Sequence, residues 1–110
     1  MSSTLFTPYK LGPVTLRNRT IRSAAFESMG KDFGPTRQLK DYHVAVARGG
    51  VGMTTLAYAA VCRSGLSFNK QLWLRPEIVP GLREITDAVH REGAAAAIQI
   101  GHCGNMTHWT

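Results

Sequence analysis

The sequence predicts an α/β fold in which parallel strands alternate with helices. Apolar residues recur at helical spacing between Thr36 and Gly49 and again between Pro80 and Gly93. Stretches typical of strands precede, separate and follow these helices, at 20–26, 51–60 and 94–100. The resulting β-α-β-α-β order, without any linker or low-complexity segment between its elements, predicts a parallel sheet with right-handed crossovers.

The segments before the first helix predict a hairpin and a loop. Residues 9–17 form the hairpin, because Gly12-Pro13 favours a turn between apolar neighbours. Residues 20–26 form the first internal strand, and 27–35 form a loop that contains two glycines. A second long loop is expected over 61–75, between the second strand and the second helix.

Each predicted helix has recognisable ends and one apolar face. Thr36 is a good N-cap for the first helix, and glycine at 49–50 ends it. Its expected inner face carries Leu39, Tyr42, His43 and Val46. The second helix begins near 76–80, because proline deeper inside a helix costs about 3 kcal/mol, and Gly93 ends it. Its expected inner face carries Leu82, Ile85 and Val89.

The glycine cluster at 49–52 separates two architectures that share this element order. A dinucleotide-binding Rossmann unit places its glycines after a strand and before a helix. Here the cluster follows a helix and precedes a strand, so it is typical of a helix cap and a tightly packed strand entry. We therefore predict the N-terminal part of a (β/α)8 TIM barrel, with the hairpin as a plug across its bottom. Residues 1–110 are then one unit and an incomplete domain.

Composition excludes several classes of function. The net charge of +6 is spread along the chain without a basic block or interleaved aromatic residues, which argues against nucleic-acid binding. No apolar run is long enough to span a membrane, and the N-terminus lacks a secretory signal, so we expect a cytoplasmic protein without a membrane partner. The two cysteines, Cys62 and Cys103, form neither a disulfide framework nor a metal-binding motif.

Several separated motifs, in order and at similar spacing, resemble the old yellow enzyme family of FMN-dependent oxidoreductases. They are LFTP at 5–8, LRNR at 16–19, PT at 35–36, Tyr42, ARGGVG at 47–52, TDAVH at 86–90 and QIGHCG at 99–104. The similarity covers essentially the whole chain. It implies a TIM barrel that binds FMN at the carboxyl ends of its strands and takes hydride from NAD(P)H.

The resemblance also implies which residues contact the cofactor. In the first strand they are Ser23, Ala24, Ala25 and Phe26, largely through backbone groups. In the second and third strands they are Ala57, Tyr58 and Gln99, whose amide reaches the polar edge of the flavin. Phe26 cannot tune the flavin by hydrogen bonding, although its ring can shape the pocket. Tyr58 either leans over the flavin or turns into the barrel wall.

The implied reaction is hydride transfer from NAD(P)H through FMN to an activated alkene, such as the β-carbon of an enone. The expected substrate is a small molecule, and the complete enzyme is a possible homo-oligomer. The resemblance places no catalytic residue within 1–110, so the isolated chain is expected to be inactive. Two alternatives remain: a non-catalytic assembly fragment that keeps the opening fold of the barrel, and a barrel enzyme that acts on a phosphorylated substrate.

The remaining polar candidates receive no catalytic role from the sequence. Glu27 is expected to be a solvated loop carboxylate, and His43 a packing or surface residue of its helix. His102 orients Gln99, contacts the substrate or is satisfied by backbone groups, and the sequence leaves these alternatives open. His102, Cys103 and His108 lack a fourth ligand and a known spacing, so no metal site is predicted.

Overall fold

The computed structural model describes residues 3–107, and its elements follow the predicted order. The strands are β1 (Tyr9–Leu11), β2 (Val14–Leu16), β3 (Ile21–Arg22), β4 (Met53–Ala60), β5 (Leu72–Trp73) and β6 (Ala95–Gly101). The helices are α1 (Arg37–Arg48) and α2 (Val79–Arg91), and short 3-10 turns lie at Thr4–Phe6, Arg63–Gly65, Pro76–Ile78 and Gly104–Met106. Neither α1 nor α2 has the length and apolar character needed to cross a bilayer, and no other helix within 3–107 does.

β4 is the central strand of a four-stranded sheet. β6 pairs with β4 in register from Met53↔Ala95 to Ala60↔Gly101, with one register shift on the way. β3 pairs with the first two residues of β4, and β5 pairs with its last two. Because β6 occupies one edge of β4, β3 and β5 share the opposite edge. All of these pairings are parallel, which confirms the predicted sheet.

Two strand predictions differ from the structure. The first internal strand, predicted over 20–26, is regular only at Ile21–Arg22. Beyond this point the β4 edge bonds to side chains, since Thr55 O accepts from Arg22 and the Ala57 N–H donates to Glu27. The loop predicted over 61–75 contains β5, whose two residues complete the far end of β4. Both segments lie at the carboxyl edge of the sheet, where regular pairing gives way to side-chain contacts.

Both helices pack on one face of the sheet, as their apolar spacing predicts. The Thr36 side chain accepts a hydrogen bond from Leu39 N and caps α1. In α2, Ile85 and Val89 are buried, while Leu82 is partly buried against the same core. In α1 the buried residues are Leu39, His43 and Ala47, whereas Tyr42 is 39% exposed. The core between helices and sheet contains Leu39, Ala47, Leu56, Ala59, Leu72, Ile78, Ile85, Val89 and Ala94.

Arg17 fixes the N-terminal hairpin to the amino end of the sheet. β1 and β2 pair antiparallel, as predicted, and form a sheet of their own. From the residue after β2, the Arg17 guanidinium donates to Val51 O at 3.1 Å and to Ala47 O and Glu92 O at 2.6 Å each. These carbonyls lie at the ends of both helices and at the entry to β4, so the hairpin sits at the bottom of the parallel strands.

Candidate functional site

The predicted cofactor residues gather at the carboxyl edge of the sheet. Segment 23–26 follows β3 directly, and Gln99 lies in β6 between Ile98 and Ile100, which pair with Leu56 and Ala59 of β4. The register shift therefore places Gln99 opposite Ala57 and Tyr58. Since parallel strands end at the same edge, all three groups face the end of the sheet at which barrel enzymes bind ligands.

The backbone N–H and C=O groups of segment 23–26 are unpaired within residues 3–107. None of its N–H or C=O groups hydrogen-bonds to another residue of that range. Ser23 and Ala25 are exposed, and Ala24 is half-buried. A planar polar cofactor can approach a backbone closely only where the N–H and C=O groups are free and the side chains are small. Segment 23–26 therefore fits the predicted FMN contacts.

Phe26 is 75% exposed, and its ring stacks on Phe68 of the loop after β4. The ring centroids lie 4.9 Å apart with an interplanar angle of 27°. Phe26, Phe68 and Tyr58 line one cleft between the loop after β3 and the loop after β4. The Phe26 ring thus shapes a pocket wall, which is the role that its apolar side chain allows.

Tyr58 is half-buried and packs along β6. A Cβ placed on Gly101 would come within 3.2 Å of the Tyr58 ring, so the ring lies directly against the glycine. Tyr58 also lines the cleft beside Phe26, so the residue contributes both to this cleft and to the contact with β6. The glycine at 101 is what allows β6 and this ring to approach so closely.

Gln99 is exposed, and its amide makes no hydrogen bond to a residue within 3–107. The family resemblance implies a flavin partner for this amide, and residues 3–107 supply no other partner. Ile98 packs against the helix-side core, so the alternation of the strand directs Gln99 to the opposite face of the sheet. An unpaired amide can donate to one atom of a flavin and accept from another, so Gln99 fits its predicted role.

Glu27 is not solvated, contrary to the sequence prediction. Its side chain is only 2% exposed, and its Oε2 lies 2.7 Å from Arg22 Nη1 and 2.7 Å from His43 Nε2. Its Oε1 accepts the backbone N–H of Ala57 at 3.0 Å. His43 is also fully buried, and its Nδ1 lies 2.7 Å from the Thr54 hydroxyl. A buried polar cluster of Arg22, Glu27, His43 and Thr54 therefore lies beneath the carboxyl edge of β4.

The surroundings of Glu27 stabilise its charged form. Burial alone raises the pKa of the carboxyl, but the hydrogen bond to His43 and the Ala57 N–H oppose burial. The electrostatic interaction with His43 and the hydrogen bond from Arg22 also lower the pKa of the carboxyl. The pKa therefore lies below its ordinary value of 4.5. A carboxylate in this position is ionised at neutral pH and works as a fixed acceptor instead of a proton donor.

His102 is held by hydrogen bonds to two neighbouring loops, and the Ser64 hydroxyl that it contacts also lies 3.2 Å from Cys62 Sγ. The His102 Nδ1 accepts the Gly104 N–H at 2.9 Å, and its Nε2 lies 3.3 Å from Ser64 Oγ, which favours the backbone-satisfied alternative. Cys62 and Cys103 are free thiols. Across residues 3–107 no group of three or more His, Cys, Asp or Glu residues could hold a metal ion. His108 lies outside the described residues.

Two features of the carboxyl edge are not indicated by the sequence. The Glu27 cluster joins residues from β3, α1 and β4 that lie far apart in the sequence, and no local pattern indicates it. Gln71 is 5% exposed, and its Oε1 accepts from both the Ser67 N–H and the Ser67 hydroxyl. Its amide nitrogen has no partner among the described residues. No pattern in the sequence marks this loop glutamine as buried.

Comparison with known proteins yields consistent matches. A profile of the NADH:flavin oxidoreductase / NADH oxidase family matches residues 4–109. The 4,4'-dithiodibutanoate disulfide reductase of Rhodococcus erythropolis is 48% identical over 91% of this chain and 25% of its own length. An NADPH dehydrogenase of Listeria welshimeri is 38% identical over 93% of this chain and 31% of its own. Morphinone reductase in complex with tetrahydroNAD superposes with a TM-score of 0.84 at 25% identity, over 97% of this chain and 29% of that one.

These matches confirm the predicted resemblance to the old yellow enzyme family and the predicted fold, an N-terminal fragment of a TIM barrel with parallel strands. They also confirm FMN and NAD(P)H as the cofactors of the family. The chain spans 25% and 31% of the length of the two relatives described above. The chain belongs to the NADH:flavin oxidoreductase / NADH oxidase family.

Proposed function

We propose that this chain supplies one wall of the FMN site in an NAD(P)H-dependent oxidoreductase that reduces activated alkenes such as enones. The observation that carries the proposal is the carboxyl edge of the sheet, where the free backbone of 23–26 and the free amide of Gln99 lie on either side of β4. Family membership supports an oxidoreductase, and the fold supports a ligand at this edge.

Each group in this wall has a defined task. When bound, FMN supplies the redox chemistry that carries a hydride from NAD(P)H to the substrate. The backbone of Ser23, Ala24, Ala25 and Phe26 contacts the cofactor from the β3 side. Ala57 and Tyr58 form the floor from β4, and the Gln99 amide holds the polar edge of the ring from β6. The stacked Phe26–Phe68 pair forms one wall of the neighbouring cleft.

The test is a titration of FMN into the natural full-length protein, followed by flavin fluorescence and by NADPH oxidation with 2-cyclohexenone. The informative variant is Gln99→Leu, and its matched control is Gln38→Leu, which alters an exposed glutamine in α1. Removal of two hydrogen bonds to the flavin should raise the Kd for FMN about tenfold. Equal Kd values for both variants would contradict the assignment of Gln99.

Further measurements on the same protein separate the two alternatives. A natural protein that folds only with a partner and shows no flavin absorbance supports a non-catalytic assembly fragment. A protein that does not bind FMN but turns over a phosphorylated substrate supports the second alternative, a barrel enzyme that acts on such substrates. Flavin binding without enone reduction retains the oxidoreductase and removes only the enone from the proposal.

Residues 1–110 in isolation are a separate case, and we propose that they form one incomplete unit. The outer edges of β3 and β6 pair with no described strand, and Gln99 and Ile100 of β6 are exposed. Open edges of this kind promote aggregation, and a complete barrel has eight strands. A soluble monomer of 1–110 with micromolar affinity for FMN would contradict this expectation.

A further inference from the structure

The buried carboxylate of Glu27 joins three elements that the sequence separates. Arg22 comes from β3, His43 from the middle of α1, and the Ala57 N–H from β4. The Glu27 side chain itself is only 2% exposed. A charged group this deeply buried requires compensation from partners, because desolvation of an ion in a protein costs several kcal/mol.

Ala57 needs this carboxylate because no strand reaches its N–H group. The pairing of β4 with β6 shifts register between Leu56 and Ala59. On the other edge of β4, pairing with β3 ends at Thr54, and pairing with β5 begins only at Ala59. The N–H of Ala57 therefore lies in a gap of the sheet, and Glu27 Oε1 occupies the place of the missing backbone acceptor.

The partners of Glu27 are themselves fixed. Arg22 Nη1 also donates to Thr55 O at 2.9 Å, and its Nη2 donates to the Tyr42 hydroxyl at 2.8 Å. The His43 Nδ1 lies 2.7 Å from the Thr54 hydroxyl. The guanidinium also lies over the Tyr42 ring, 4.9 Å from its centroid. Because each partner is anchored at a second point, the carboxylate has one defined position.

We propose that Glu27 is a positioning residue that sets the backbone of Ala57 and Tyr58 for FMN, with Arg22 and His43 holding its carboxylate in place. This inference rests on the proposed function, since Ala57 and Tyr58 form the floor of the proposed FMN site. Glu27 acts through the β4 backbone and need not touch the cofactor. Its two oxygens have distinct tasks: Oε1 holds Ala57, and Oε2 faces both Arg22 and His43.

The test is the substitution Glu27→Gln in the natural full-length protein. Glutamine has nearly the same shape, but one of its two polar ends becomes an NH2 donor, which must face either the Ala57 N–H or Arg22. The matched control is Glu84→Gln, which removes an exposed ion pair of similar length between Glu84 and Lys40. The readout is the Kd for FMN at a temperature where circular dichroism shows every variant to be fully folded.

We expect Glu27→Gln to raise the Kd for FMN about tenfold and Glu84→Gln to leave it unchanged. A purely structural role would lower the unfolding temperature of Glu27→Gln but leave the Kd of the folded protein at the wild-type value, which would overturn the proposal. If Glu27→Gln does not fold, the test uses His43→Gln instead, because this substitution leaves the hydrogen bond between Glu27 and the Ala57 N–H intact. His43→Gln should raise the Kd for FMN to a smaller extent than Glu27→Gln. An unchanged Kd would overturn the proposal. Failure of the wild type to bind FMN overturns both this inference and the proposed function. Normal FMN binding by folded Glu27→Gln, beside a wild type that binds FMN, overturns this inference alone.

Discussion

Arg17 offers the sharpest test of how the hairpin is joined to the barrel. Its guanidinium donates to three carbonyls, Val51 O, Ala47 O and Glu92 O. Ala47 lies in the last turn of α1, and Glu92 is the C-cap of α2, so the cation also lies at the negative ends of two helix dipoles. We predict that Arg17→Met, which keeps the apolar stem, destabilises the protein markedly.

The expected loss follows from the number of bonds. A hydrogen bond to a charged group contributes about 1.5–3 kcal/mol, and the half-buried position allows water to replace part of it. Loss of three such bonds should therefore lower the free energy of unfolding by about 3 kcal/mol. Arg17→Lys keeps the charge but cannot reach three carbonyls at once, so it should lose roughly half of that amount.

Equilibrium urea unfolding of the natural full-length protein measures this loss. Arg19→Met is the control, because Arg19 is an exposed arginine of the same loop that lies 5.0 Å over the Tyr9 ring. We expect that control to change the free energy of unfolding by less than about 1 kcal/mol. If Arg17→Met costs no more than Arg19→Met, Arg17 does not anchor the hairpin.

Two further substitutions test the strand entry and the buried carboxylate. A methyl group at Gly52 would lie 2.5 Å from Asn18 O and 2.9 Å from Thr20 O, so Gly52→Ala should cost about 1–3 kcal/mol in urea unfolding. At Gly34 the nearest atom would be 3.5 Å away, and Gly34→Ala should be near neutral; equal losses would contradict this packing. The pKa of Glu27 lies below its ordinary value of 4.5, so its stabilisation is present above about pH 4.5 and is lost as pH falls through the folded pKa. Unfolding free energies of wild type and Glu27→Gln should therefore converge between pH 7 and pH 3, and a constant gap would argue against a stabilised carboxylate.

The helices and the parallel order were predictable because local chemistry determines them. The Thr36 cap and the helical spacing of Ile85 and Val89 act within one or two turns, and the structure agrees with both. The hairpin around Gly12 was predictable for the same reason, since that glycine adopts a positive φ of 58° in a two-residue turn.

The carboxyl edge could be predicted only in part because distant residues determine it. The small residues at 23–25 are predicted to continue the strand, yet the pairing stops at Arg22. The next β4 groups on that edge, Thr55 O and the Ala57 N–H, bond to the side chains of Arg22 and Glu27. The burial of Glu27 depends on contacts with residues 16 and 30 positions away in sequence, and no local pattern reports such contacts. The positions of Ala57 and Gln99 at the edge, in contrast, follow from the strand order alone.

A crystal structure of the natural full-length protein grown with FMN tests the proposed site most directly. We predict that the isoalloxazine ring lies against the backbone of 23–26, with the Gln99 amide about 3 Å from its polar edge. The Ala57 N–H should still be bound to Glu27 in that complex. A flavin bound away from these strand ends, or a Gln99 amide turned from the ring, would contradict the assignment of this edge as the cofactor wall.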